Sequence, residues 1–141
     1  MSSIVFNTRD VDFRLRNKLG LKRWIFGVAS SERVGIDMLS YIFCSDNYLH
    51  EVNVKYLNHD TFTDVITFDY SRGRLISGDV FISIDAVFDN AKTFCADKYD
   101  ELHRVILHGV LHLIGYKDKN DDALIMRQKE DYYLARRSVD R

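Results

Sequence analysis

Apolar residues recur along this chain with two different periods, and the points where the period changes mark its elements. Ile4, Val5 and Phe6 form a short apolar run that reads as a strand. Between about residues 17 and 30, Leu21, Trp24, Ile25 and Val28 return at spacings of three and four, the stripe of one amphipathic helix. Met38 to Phe43 reads as a second strand, and Ser45 is placed to cap a helix carrying Tyr48, Leu49, Val52, Tyr56 and Leu57. Thr63 to Tyr70 is rich in β-branched and aromatic types, Gly78 to Ile84 alternates, and the turn-prone SRGR segment between them predicts a hairpin. From Asp85 the helical period returns through Val87, Phe88, Ala91 and Phe94. A long helix over 98–114 follows, stopped by Gly115, and a last helix over 121–136. The order β, α, β, α, β, β, α, α, α predicts an α/β (α+β) fold, a small mixed four-stranded sheet covered by about five helices.

Composition narrows the class without naming a chemistry. A chain of 141 residues with 46% hydrophobic content fits one compact domain over 1–141, and its nine Phe, eight Tyr and single Trp can close a core without staples. No apolar run approaches the roughly 18 residues of a membrane span, and the start MSSIVFNTRD lacks the order of a signal peptide, so a cytoplasmic location is expected. Cys44 and Cys95 form no CxxC pair and read as reduced core thiols. A net charge of −1 argues against a protein that coats nucleic acid with phosphate contacts. A local basic excess remains in the first 35 residues: Arg9, Arg14, Arg16, Lys18, Lys22, Arg23 and Arg33 outnumber Asp10, Asp12 and Glu32. It is either a solvated helix face, the plainer reading, or a surface for RNA.

The chemistry concentrates in HRVILHGVLHLIGYKD, residues 103–118. On a helix, His108 and His112 lie about 40° apart and one turn apart, which suits two imidazoles gripping one ion. Glu101 and Arg104 fall on the same ribbon, while Leu102, Ile106, Val110 and Leu113 cluster opposite. Burying such a polar line is unfavourable unless partners or a cation satisfy it. Gly115 permits the chain to turn just past the second histidine and present Asp118 as a third ligand, whereas the Lys117 ammonium cannot bind a metal while protonated. Two neutral imidazoles and one carboxylate leave an open position for water. Core packing of the two histidines stands as the alternative. Glu101, two turns before His108, suits orienting an imidazole better than acting as general base, and Arg104 is a candidate of the same kind. The general base itself stays open. His50, His59 and His103 lack such company and read as surface or supporting residues.

The string HGVLHLIGY at 108–116 resembles the signature HGxLHLxGYDH of the YbeY family of metal-dependent endoribonucleases and ribosomal RNA maturation factors. The similarity continues through LN at 57–58, TDVITF at 63–68, GDVFIS at 78–83, Glu101, Met126 and Glu130. The resemblance implies a small α/β fold with one divalent transition metal in a cleft, zinc or alternatively nickel. It further implies hydrolysis of single-stranded RNA and partners in ribosomal RNA and the small ribosomal subunit.

Two departures stand out. Asp118 takes the place of the family's third histidine, preceded by Lys117 instead of Asp, and only His59, Asp60, Thr61 and Phe62 separate LN from TDV, where the family has a longer stretch with an arginine. Arg72 and Arg74, on the turn between the adjacent strands, are candidates to replace that arginine near a phosphate. Two rival functions remain open. A metalloprotease would carry its catalytic Glu directly after the first histidine, where this chain has Gly109. A non-catalytic assembly factor would use the metal to staple its fold.

Overall fold

A computed structural model describes residues 2–137, and each element expected from the pattern forms. The order is β1 (Ser3–Arg9), α1 (Lys18–Ser31), β2 (Gly35–Cys44), α2 (Asp46–Leu57), β3 (Val65–Asp69), β4 (Leu75–Ser83), α3 (Ile84–Thr93), α4 (Lys98–Ile114) and α5 (Asp122–Leu134). The sheet runs β1-β2-β4-β3, with β1, β2 and β4 parallel and β3 antiparallel to β4 at an edge. The expected hairpin is thus present. β2 starts earlier than the alternation suggests because the register shifts between Ile36 and Leu39. That irregularity lets Ile36 join Leu39, Tyr41 and Phe43 in one core despite the broken period of two.

Helices cover both faces. The larger core gathers Leu21, Trp24 and Ile25 of α1, Val87 of α3 and Leu102, Ile106 and Val110 of α4 against Leu39, Tyr41, Val80 and Ile82. A smaller core of Cys44, Leu49, Val52 and Ile66 seats α2 on the other face. Ser45, Ser83 and Asp97 each accept backbone N–H bonds at the start of α2, α3 and α4, which places these starts where capping chemistry predicts. The buried Tyr41 hydroxyl donates to the Ile106 carbonyl at 2.7 Å, and Trp24 Nε1 donates to the Tyr133 carbonyl at 3.0 Å. Both large polar tips are therefore satisfied inside the core. No helix among the described residues is long and apolar enough to cross a membrane.

One expectation needs correction, and one left open is decided. Cys44 is a core thiol, but Cys95 is exposed on the turn after α3, at φ 53°, where the chain reverses into solvent. His103, read as a surface or supporting residue, is buried: it stands beside the Trp24 ring, and its Nδ1 lies 2.8 Å from Arg137 Nη1.

The long helix α4 lies very close to the sheet at two glycines. A Cβ at Gly109 would stand 2.8 Å from Val80 Cγ1, and one at Gly78 would stand 2.5 Å from the Phe68 carbonyl oxygen and 2.8 Å from Leu113 Cδ2. Position 109 thus faces β4, with no room for the glutamate a metalloprotease would carry there. Gly109→Ala should destabilise the fold by about 1–3 kcal/mol in thermal or denaturant unfolding, because buried, β-branched Val80 cannot easily move aside. An unchanged or raised stability, as helix propensity alone would give, contradicts this packing.

Candidate active site

α4 presents Arg104, His108 and His112 on the ribbon that the pattern predicts, while Leu102, Ile106 and Val110 are fully buried on the side facing the sheet. Gly115 ends the helix at φ 126°, and its N–H and that of Tyr116 bond back to carbonyls of the last turn. The chain then swings Lys117, Asp118 and Lys119 alongside the helix. His108, His112 and Asp118 all line one cleft of about 720 Å³, whose opposite wall is Thr63 to Thr67 of β3 and its approach.

His108 is the best-determined member. Its Nδ1 lies 2.8 Å from Glu130 Oε2 of α5, and Glu130 Oε1 accepts from Arg104 Nη1 at 2.9 Å. Arg104 Nη2 donates in turn to Asp131 at 2.7 Å. An ionised carboxylate only accepts, so the Nδ1 of His108 carries a hydrogen, and in the neutral ring the lone pair sits on Nε2. That Nε2 faces Asp118 Oδ2 at 3.8 Å. A lone pair and a carboxylate so placed call for positive charge between them, either a proton or a cation. Burial of the ring works against its proton. The hydrogen bond and charge of Glu130, with the carboxylates of Asp118 and Asp64, outweigh that effect and hold the imidazole above its ordinary pKa.

The donor chemistry fits a borderline metal ion: two imidazoles and a carboxylate on one cleft. Two ligands of a tetrahedral ion, each about 2.1 Å from it, stand about 3.4 Å apart, close to the His108–Asp118 separation. Among the described residues, however, no three His, Cys, Asp or Glu side chains are already gathered as a metal-holding group. His112 shares the cleft, exposed, without being drawn into such a cluster.

The turn bearing Asp118 is anchored from behind. Tyr116 and Tyr133 hydroxyls both donate to Glu32 at the end of α1, and Lys129 Nζ adds a contact at 3.1 Å. Burial would raise the Glu32 pKa, but these three donors outweigh it and hold the carboxyl below its usual range.

Other candidates fall elsewhere. Glu101 lines the smaller adjoining cavity with Arg104, His108 and Glu130, and among the described residues its carboxylate bonds neither imidazole. Arg74 donates through Nε and Nη2 to the carbonyls of Arg33 and Glu32, each at 2.7 Å. Neither it nor Arg72 lines the two cavities around His108. His59, set aside as a ligand, does line the larger cleft. Sequence alone gives no role to Glu130, which is legible only as part of the family resemblance downstream of the signature.

The fold and cleft define a class: an α/β domain with histidine and carboxylate donors on one long helix and the turn after it. The family model for endoribonuclease YbeY matches residues 7–138, and the chain belongs to that family. It is 52% identical to the endoribonuclease YbeY of Flavobacterium psychrophilum, over 89% of this chain and 90% of that one. It is 47% identical to that of Cytophaga hutchinsonii, over 96% of both. The solution structure of TM1509 from Thermotoga maritima shares the fold, with a TM-score of 0.68, 23% identity and coverage of 94% of this chain and 87% of that one.

Because the His108 pKa is raised on folding, the stabilisation linked to its proton in metal-free protein is complete below the ordinary value of 6.5. It fades as pH rises through the raised value. NMR titration of metal-free protein should find His108 protonating above 6.5 with its hydrogen on Nδ1, and Glu130→Gln should lower that pKa. Titration at or below 6.5 with Glu130 intact would contradict the pairing.

Proposed function

We propose that this chain is a metal-dependent endoribonuclease that cuts single-stranded RNA, its centre formed by His108, His112 and Asp118. The observation that carries the reading is the direction of His108: Glu130 holds Nδ1 at 2.8 Å, which turns Nε2 toward Asp118 in the cleft. An imidazole held from behind by a carboxylate, with its free nitrogen aimed at another donor, is the usual arrangement of a metal-ligating histidine. Membership of the family supports the same activity.

When bound, a divalent ion supplies Lewis-acid stabilisation of a phosphodiester and a water acidic enough to react near neutral pH. The protein's own groups do the rest. Glu130 fixes the ring and tautomer of His108, and Arg104 holds Glu130 in place. Lys117 and Lys119, exposed on the cleft, attract the phosphate backbone and offset negative charge as the phosphodiester is attacked. Three donors instead of four leave a coordination position for substrate or water, which favours catalysis over a structural staple. Zinc suits this mixture of nitrogen and oxygen donors, with nickel the alternative. We assign the work to the cytoplasm and the substrate to ribosomal RNA of the small subunit, following the family resemblance.

Purified protein should cleave single-stranded RNA, lose that activity in chelator, regain it with added Zn²⁺ and leave casein intact. His112→Ala should abolish both stoichiometric metal and cleavage. A metal-free His112→Ala protein that cuts RNA at the wild-type rate would sink the mechanism. Chelator that unfolds a protein lacking any RNA cleavage would instead identify a structural metal.

A further inference from the structure

The short loop before β3 carries an aromatic ring, Phe62, that pairs with His50 of α2 and that the centre does not use. The Phe62 ring stacks on the His50 ring with centroids 4.4 Å apart and planes 11° from parallel. His50 is itself fixed, its Nε2 lying 2.8 Å from Asp60 Oδ1. The loop between is pinned by buried Asn53, whose Nδ2 donates to the Thr61 carbonyl at 2.9 Å and also reaches Thr61 Oγ1 at 3.3 Å. Despite this bracing, Phe62 stays 63% exposed. One face of the ring is covered by imidazole, and the other remains available to solvent.

An isolated exposed aromatic is ordinary on a protein surface. This one differs in being held flat from behind, and in its place. Its neighbours Thr61 and Thr63 line the same cleft as His108, His112, Lys117 and Lys119. A braced aromatic plane beside a cleft with cationic walls is how sequence-tolerant single-strand sites are built: cations follow the phosphates while a base stacks on the ring.

We infer that Phe62, backed by His50, is a stacking platform for one nucleobase of a single-stranded RNA whose backbone runs through the cleft past His108 and His112. The inference rests on the reading of the cleft as an RNA site. It adds a subsite beyond the metal centre and gives the shortened loop a role: in place of a longer segment with a cationic side chain, this chain presents a flat apolar surface. Recognition there is by base stacking and tolerates any base, because every base offers a π face.

The test uses the full chain in chelator, so that RNA is bound without being cut. The probe is a short single-stranded oligoribonucleotide with 2-aminopurine at successive positions, whose fluorescence is quenched by stacking. Wild-type protein should quench the probe at one position. Phe62→Ala and Phe62→Leu should abolish that quench and weaken binding about tenfold, while Phe62→Trp restores both. Leu keeps apolar bulk without a π face, so it separates stacking from simple contact, and melting temperatures verify that each variant is folded. If Phe62→Leu binds as tightly as wild type, or binds weakly with the quench intact, the platform is wrong although the cleft still takes RNA. If wild-type protein neither binds nor cleaves RNA, the platform and the function it rests on fall together.

Discussion

Gly109 lets α4 lie against Val80 at a distance that a methyl group there would crowd, and Gly78 leaves room over β4 for the Leu113 side chain. The rest of the cleft follows from that seat. With Gly109 against Val80 and Leu113 against Gly78, the rotation of α4 about its own axis is fixed, because turning the helix would drive a larger side chain into β4. Leu102, Ile106 and Val110 then point into the core, and the face carrying Arg104, His108 and His112 is turned toward β3 and α5. The backbone of α4 is held at its middle as well, where the buried Tyr41 hydroxyl bonds the Ile106 carbonyl. Packing on one side of the helix therefore sets where the imidazoles stand on the other.

α5 is attached differently. Only Met126, Glu130 and Tyr133 of this helix are buried, and no side chain caps its start. Two carboxylate clusters supply much of its hold. Glu130 joins it to α4 through His108 and Arg104, and Glu32 of α1 joins it through Tyr133 and Lys129 while also taking the Tyr116 hydroxyl from the turn. Of these, only Arg104–Glu130 is a largely buried charged pair, and removing one member of such a pair is typically worth about 3–5 kcal/mol because the other is left uncompensated. Polar groups in these positions are thus not incidental to stability. They also lock the relation between α4, which bears two histidines, and the turn bearing Asp118.

What the sequence made legible was local. The helical period of 98–114 identified both its buried stripe and its polar ribbon, and Gly115 marked where the ribbon ends, because these features depend on residues three or four apart. The capping Ser45 gave the start of α2 for the same reason. What was not legible was pairing across the fold. Glu130 lies 22 residues from His108, so no spacing rule could assign it as the partner, and Glu101, nearer in sequence, was the candidate instead. Arg72 and Arg74 were considered for phosphate contact by default, yet the hairpin carries Arg74 to the end of α1, where carbonyls of Glu32 and Arg33 occupy its guanidinium. Cys95 failed as a burial reading, and His103 stayed open between surface and supporting, because each depends on whether a neighbouring element covers it.

The departures at the centre act together when charge is counted. Where the family signature carries an aspartate followed by a neutral histidine, this chain carries Lys117 followed by Asp118. The carboxylate moves by one residue into the position of the signature's histidine, and a cation takes the position it leaves. Relative to the signature, the turn gains one positive charge, and on the proposed reading the third donor changes from nitrogen to oxygen. A carboxylate donor reduces the residual charge on any ion it binds, which would weaken the pull on a phosphate. Lys117, exposed on the same cleft as Asp118, returns that charge within reach of the same substrate. On the proposed reading the pair acts as one substitution, in which attraction for phosphate would be shared between a bound ion and a side chain beside it.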